Sequence, residues 1–206
     1  MRLEQILPHF TDAIFLLLAI YLVLNYLRSL LMSTETPFSF VSQTLFITYL
    51  LIALVLLAGR KRAVIYSSRL NDYVYTLLGL GSPLLYQPVL HNSGEAVGET
   101  VAFVGIVLVL GAFFSLNRSF GLAPENRGIK TAGAYRVVRH PMYLGYILAE
   151  TGFVYDNLTI LNLLILAVSV LFLLLRLRAE ERLLLQDPNY RAYTEKTRWK
   201  LIPFVF

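Results

Sequence analysis

Long unbroken apolar runs, rather than alternating or one-faced patterns, fill most of this chain. Six such segments occur, at 12–32, 40–58, 73–90, 101–117, 142–155 and 158–176. A helix needs about 20 residues to cross a bilayer, and the first, second, fourth and sixth runs supply close to that. The third, "YVYTLLGLGSPLLYQPVL", is interrupted by Gly79, Gly81 and Pro83, which predicts a kink or a break. The fifth has only about 14 residues, or some 21 Å of helix. A tight turn at Asp156 and Asn157 joins it to the sixth, predicting an antiparallel hairpin over 142–176. The expected fold class is all-α: a polytopic integral membrane protein with about six transmembrane segments.

Composition agrees with that pattern and narrows the function classes. Of 206 residues 57% are hydrophobic and 15% charged, with mean hydropathy +0.63; an ordinary soluble domain is excluded. The first run, "TDAIFLLLAIYLVLNYLRSLLM", is too long for a signal peptide and lacks a small-residue cleavage site. With no cysteine in the chain, disulfides, thiolate metal sites and a cysteine nucleophile are excluded. His9, His91 and His140 are too scattered for a metal site. There is no phosphate-binding glycine loop and no dinucleotide fingerprint, which argues against ATP and familiar redox chemistry.

The net charge of +5 is explained by topology, without a nucleic-acid partner. Arg60, Lys61, Arg62 and Arg69 follow the second run, and Arg118, Arg127, Lys130, Arg136 and Arg139 follow the fourth. Seven Lys or Arg residues lie from Arg176 onward. The opposite connections carry Glu35, then Glu95 and Glu99, then Asp156. The positive-inside rule therefore places both termini, the 118–141 loop and the C-terminal tail in the cytoplasm. The expected location is a prokaryotic plasma membrane, with membrane lipids as partners.

Unusual polar residues concentrate in 115–145 and 176–203, on the cytoplasmic side and flanking the hairpin. Pro141 suits the first turn of a helix. Arg136, Arg139 and His140 precede that helix start, a natural seat for a carboxylate or phosphate. Anchoring at lipid headgroups accounts for the same residues. Glu150 shares a helix face with Tyr143 and falls about two turns into the hydrocarbon, where a charge is costly unless paired, neutral or wet. It is either a functional acid or a carboxyl bonded to a neighbour such as Asn162. In the tail, Arg176 and Glu180 lie one helical turn apart, as expected of surface ion pairs. Tyr190 and Tyr193 then precede Arg198, Trp199 and Lys200, an arrangement that suits a purine ring or the membrane interface equally.

Two stretches, "NRSFGLAPENRGIKTAGAYRVVRHPMYLGYIL" and "RLRAEERLLLQDPNYRAYTEKTRWKLIP", resemble the signature blocks of the isoprenylcysteine carboxyl methyltransferase family. The form is that of its broad prokaryotic branch, related to phospholipid N-methyltransferases, and the likeness covers about 110–206. The resemblance implies a membrane enzyme that binds S-adenosylmethionine in a cytosolic pocket and admits a lipophilic acceptor from the bilayer. It implies cofactor-binding roles for Tyr135, Arg139, His140, Tyr143, Glu180, Glu181, Tyr190 and Tyr193. Residues 1–95 form an N-terminal helical region and 96–206 the methyltransferase core.

Two departures from the family pattern concern the turn and the acceptor. "QDP" at 186–188 replaces an aromatic–Gly step, and Lys200 stands where eukaryotic members carry Arg, with Arg198 nearby. A Lys cannot make the bidentate fork to a substrate carboxylate. This departure weighs against a prenylcysteine carboxylate; the expected acceptors are a prenylcysteine-like carboxylate, a phenolic lipid or a phospholipid, with Glu150, Arg198 and Lys200 as candidate catalytic residues. Two other readings fit the pattern: an NADPH-dependent membrane reductase related to sterol reductases, and a non-catalytic membrane subunit.

Overall fold

The computed structural model describes residues 3–32, 51–55, 57–87, 89 and 96–206. Its helices in chain order are α1 (Leu3–Met32), α2 (51–55 and 57–59), α3 (Leu70–Gly81), α4 (Ala96–Leu116), α5 (Pro141–Asp156), α6 (Ile160–Leu184) and α7 (Pro188–Lys196). The expected all-α class holds. Among the described residues two helical stretches, Val97–Ser119 and Ile160–Leu184, are long and apolar enough to cross a membrane, and Leu7–Tyr21 is a shorter apolar stretch. Most of the second predicted segment, and the loops with Glu35 and Glu95, lie outside the described residues.

The third predicted run breaks where its glycines and proline stand. Helix α3 stops at Gly81 and a 3-10 turn follows over Ser82–Leu85, with Pro83 in its first turn. Asn162 on α6 then holds the irregular backbone beyond the break: its Oδ1 accepts from the Gln87 amide (3.1 Å) and its Nδ2 donates to the Gln87 carbonyl (2.9 Å). Asn162 is fully buried, so these bonds satisfy its own amide while they pin the irregular backbone of Gln87.

The turn between α5 and α6 is as short as expected, but the two helices find their main partners elsewhere. Helix α5 packs chiefly on α4, and α6 on α3. Small residues explain the first pairing. A side chain at Gly145 would stand 2.7 Å from the Gly105 carbonyl and 2.6 Å from Val109 Cγ2, and one at Gly152 would collide with Gly98 and Ala102. Such a stripe lets two backbones touch, which is how helices associate tightly where no hydrophobic gain separates them from lipid. On the other pair, Ser169 donates to the Gly79 carbonyl (3.1 Å).

An unexpected two-stranded ribbon ties the halves together. β1 (Ile65–Tyr66) pairs antiparallel with β2 (Glu125–Asn126) in the register Ile65 to Asn126 and Tyr66 to Glu125. Val64 N to Asn126 O (2.7 Å) and Lys61 N to Arg118 O (2.8 Å) extend the contact. Ion pairs reinforce it. Asp72 on α3 meets Arg182 on α6 (2.8 Å), and Arg60 bonds Asp12 on α1.

Candidate active site

A cleft opens between the 116–130 connection, the start of α5, the far end of α6 and one face of α7. Each wall follows from local sequence. Pro141 starts α5 with His140 in non-helical backbone (φ −130°, ψ 59°) before it. Asp187 caps α7 by accepting from the Asn189 amide (2.9 Å), with Pro188 at the first helical position. Its other oxygen accepts from Asn126 Nδ2 (2.8 Å), and that bond chiefly holds the Asp187 carboxyl below its ordinary value. The "QDP" departure therefore builds a capped turn locked to β2. With α7 so fixed, Tyr190 and Tyr193, one turn apart, both face the cleft.

Glu181 is the hub behind this wall. Its Oε1 receives Tyr190 OH (2.6 Å) and faces His140 Nε2 (2.7 Å), and its Oε2 receives Arg139 Nη1 (2.8 Å). Both oxygens are thus engaged, and Glu181 lies behind the residues that line the cleft. Its neighbour Glu180 does line the cleft and accepts from Tyr143 OH (2.6 Å). The two glutamates expected in the cofactor pocket thus differ in place: Glu180 lines the cleft, and Glu181 bonds Arg139 and His140 behind it.

The α5 start differs from a bare anion seat. The Arg139 and His140 amides donate to the Trp199 (2.9 Å) and Lys200 (2.8 Å) carbonyls, so the residues after α7 occupy them. What remains for a ligand is side-chain chemistry. Arg139 lines the cleft, and its buried Nε has no hydrogen-bond partner among the described residues. Tyr135 and Tyr193 close the far side, with Tyr193 OH donating to the Tyr135 carbonyl (2.6 Å). Burial pushes all three phenols of this wall up, Tyr193 to about 12 and Tyr135 and Tyr190 likewise well above the ordinary 10. They are neutral donors and flat apolar faces.

Three further charged residues that the sequence did not assign to the site lie on the wall. Arg176 is buried, donates to the Leu122 carbonyl (2.6 Å) and stacks 4.9 Å from the Tyr143 ring centroid; it is not the surface partner of Glu180. Its place at the end of an apolar run was the available signal. Glu125 and Arg127 form a bidentate pair (2.7 Å each), with Arg60 3.7 Å away. Burial pushes the Glu125 carboxyl up against the pull of these guanidiniums. Opposite charges two residues apart in a Gly/Pro-rich connection were the trace of this pair.

The expected catalytic residues lie off the cleft wall. Arg198 is exposed and its carbonyl accepts from Arg139 Nη2 (3.5 Å), while Lys200 Nζ sits 4.7 Å over the Phe206 ring. Glu150 lies ten residues along α5 from His140, roughly 15 Å deeper. It accepts from Tyr86 OH (3.1 Å) and interacts with Ser169, not with Asn162.

The stretch that builds the cleft is also the one with known relatives. Residues 95–190 match the sequence model described as phospholipid methyltransferase, a family whose methyltransferases use S-adenosylmethionine. This is the relation named for the broad branch above; the match spans the cleft region and slightly less than half of the chain. Methanethiol S-methyltransferase 1 of Bradyrhizobium diazoefficiens is 33% identical over 119 residues, covering 51% of this chain and 41% of that protein. The chain thus spans less than half the length of that curated relative. No solved structure matches.

The cleft residues fit the cofactor. A zwitterionic amino-acid end requires an acid and a cation side by side, and Glu180 stands beside Arg139 and His140 on one wall. The spare buried Nε of Arg139 is a donor awaiting an acceptor. Three neutral tyrosines offer faces to a purine and a sulfonium.

Proposed function

We propose that this chain is an integral membrane methyltransferase that transfers a methyl group from S-adenosylmethionine to a lipophilic acceptor reaching the cleft from the bilayer. The observation that carries the reading is the coincidence of the cleft with the matched region 95–190. Both termini and the cleft face the cytoplasm of a prokaryotic cell, a reading supported by the loop charges. About six segments cross the membrane, two of them the long apolar helices of the described residues.

When bound, the cofactor supplies an activated methyl group and its own leaving group. The protein therefore has to orient and to exclude water. Glu180 takes the ammonium end, and Arg139 and His140, held by Glu181, take the carboxylate end. Tyr135, Tyr190 and Tyr193 wall the purine. Arg176 over Tyr143 fixes the ring that also holds Glu180. Possible acceptors are a prenylcysteine-like carboxylate, a phenolic lipid, a phospholipid or, by analogy with the named relative, a small apolar thiol. Glu150, half-buried beside Tyr86, lines the acceptor's path; a Glu150→Gln variant with unchanged turnover would remove it from that role.

Calorimetric titration of S-adenosylhomocysteine into detergent-purified protein tests the reading. Saturable binding that is lost in His140→Ala and weakened in Glu180→Gln is expected. No binding to a folded sample would overturn the proposal.

A further inference from the structure

The residues following α7 form a compact apolar loop. The Phe206 carbonyl accepts from the Lys200 (2.9 Å), Leu201 (2.8 Å) and Ile202 (3.0 Å) amides, and Trp199 packs on Phe204 at 5.4 Å between centroids. Leu201 alone turns inward, joining Tyr143, Leu173 and Leu177 in a buried cluster. Ile202, Phe204 and Val205 turn outward with neighbouring Val137, and Phe204 and Val205 are 85% and 73% exposed. Outward aromatic and branched side chains in a loop of backbone turns are costly in water.

The level of this loop against the membrane helices says what covers it. Leu173 belongs to the apolar run of α6 that ends before Arg176, so the anchor of the loop lies at hydrocarbon depth. Helix α5, whose start the loop holds through the Arg139 and His140 amides, has 16 residues, or about 24 Å. That is about 6 Å short of the roughly 30 Å hydrocarbon core. Lys196, Arg198 and Arg136 flank the apolar tip and are exposed, the arrangement that anionic headgroups attract.

We propose that loop 199–206 inserts into the cytoplasmic-side lipid interface beside the short helix α5, supplying the apolar thickness that α5 lacks. Lipid then helps seat the two carbonyls that hold Arg139 and His140, so the cofactor cations are positioned from the membrane side. The inference rests on the membrane reading above but not on methyl transfer.

Trp199 is the only tryptophan in the chain, so the native protein reports on the loop directly. The full chain is reconstituted into phosphatidylcholine–phosphatidylglycerol vesicles and its flotation is checked first. Lipids carrying bromine near the headgroup or near the methyl end of the acyl chain are then compared with aqueous acrylamide as quenchers. Roughly twofold stronger quenching by the shallow bromines than by the deep ones is expected, as for a side chain about 5–10 Å below the headgroups, with little acrylamide quenching. A Phe204→Asp, Val205→Asp double variant should lose the lipid quenching and gain acrylamide quenching while still floating. Acrylamide quenching without lipid quenching in the native protein overturns the proposal, as does protection from both quenchers or unchanged lipid quenching in the double variant. Binding of S-adenosylhomocysteine to the same samples is scored separately, so failure of the methyltransferase reading is seen apart.

Discussion

Replacing Glu181 by Gln keeps the shape of the hub and removes its charge. The carboxylate engages three partners: Arg139 and His140 at 2.8 and 2.7 Å and Tyr190 at 2.6 Å. An amide has one accepting oxygen and one donating nitrogen. If the oxygen faces His140 and Tyr190, the NH2 faces the Arg139 guanidinium, donor against donor; the flipped amide keeps Arg139 only if His140 and Tyr190 turn from donating to accepting. In either pose the ion pair with Arg139 is lost, about 1.5–3 kcal/mol. The guanidinium left behind is 9% exposed, and breaking one side of a buried pair costs about 3–5 kcal/mol. Partial rearrangement of Arg139 toward the Arg198 carbonyl offsets some of this, so a loss of about 2–4 kcal/mol of stability follows. S-adenosylhomocysteine binding should weaken by about 10–100-fold, since 1.4 kcal/mol is tenfold and the displaced Arg139 is itself a cleft residue. Glu180→Gln is the control. It faces the cleft and touches only Tyr143 among these groups, so binding should fall about tenfold with the thermal midpoint nearly unchanged. The assay is paired thermal unfolding and calorimetry in detergent. Equal midpoints and equal affinities for Glu181→Gln and the native protein would refute the hub.

At the α4–α5 contact, Gly105→Val should destabilise by about 1–3 kcal/mol or more, because the new side chain has no room against Gly145 and Ala149; thermal unfolding in detergent measures it. Arg176→Lys should lower cofactor affinity while keeping the fold, since a point charge cannot both reach the Leu122 carbonyl and stack on Tyr143; calorimetry reads it. Asp187→Ala should cost about 0.5–2 kcal/mol by removing the α7 cap and should speed amide exchange at Tyr190. The Asp187 carboxyl titrates below its ordinary 3.8 in the folded chain. Its contribution is complete above that value and is lost as pH falls through the depressed one; the difference in thermal midpoint between native and Asp187→Asn protein should hold steady above 3.8 and close only there.

The sequence by itself determined the composition-driven features. Apolar runs at 101–117 and 158–176 had to become helices, because only an internally bonded backbone survives in lipid, and α4 and α6 lie there. Gly79, Gly81 and Pro83 broke α3 where local backbone preference said they should. Arg139, His140, Tyr143 and the tyrosines of α7 were readable as a site because their types and spacing are local facts. Tertiary structure alone decided how they divide the work. Nothing in "EE" says that Glu181 turns back to Arg139 and His140 while Glu180 faces the cleft, since that depends on where α5 and α7 dock against α6. Arg176 looked like a surface charge because its burial under Tyr143 is a long-range contact. The choice of α4 over α6 as partner for α5 was set by small residues meeting across the helices. The Asn126 to Asp187 and Glu125 to Arg127 contacts likewise arise only once distant segments fold together, because charge pairing reads distance in space and not separation along the chain.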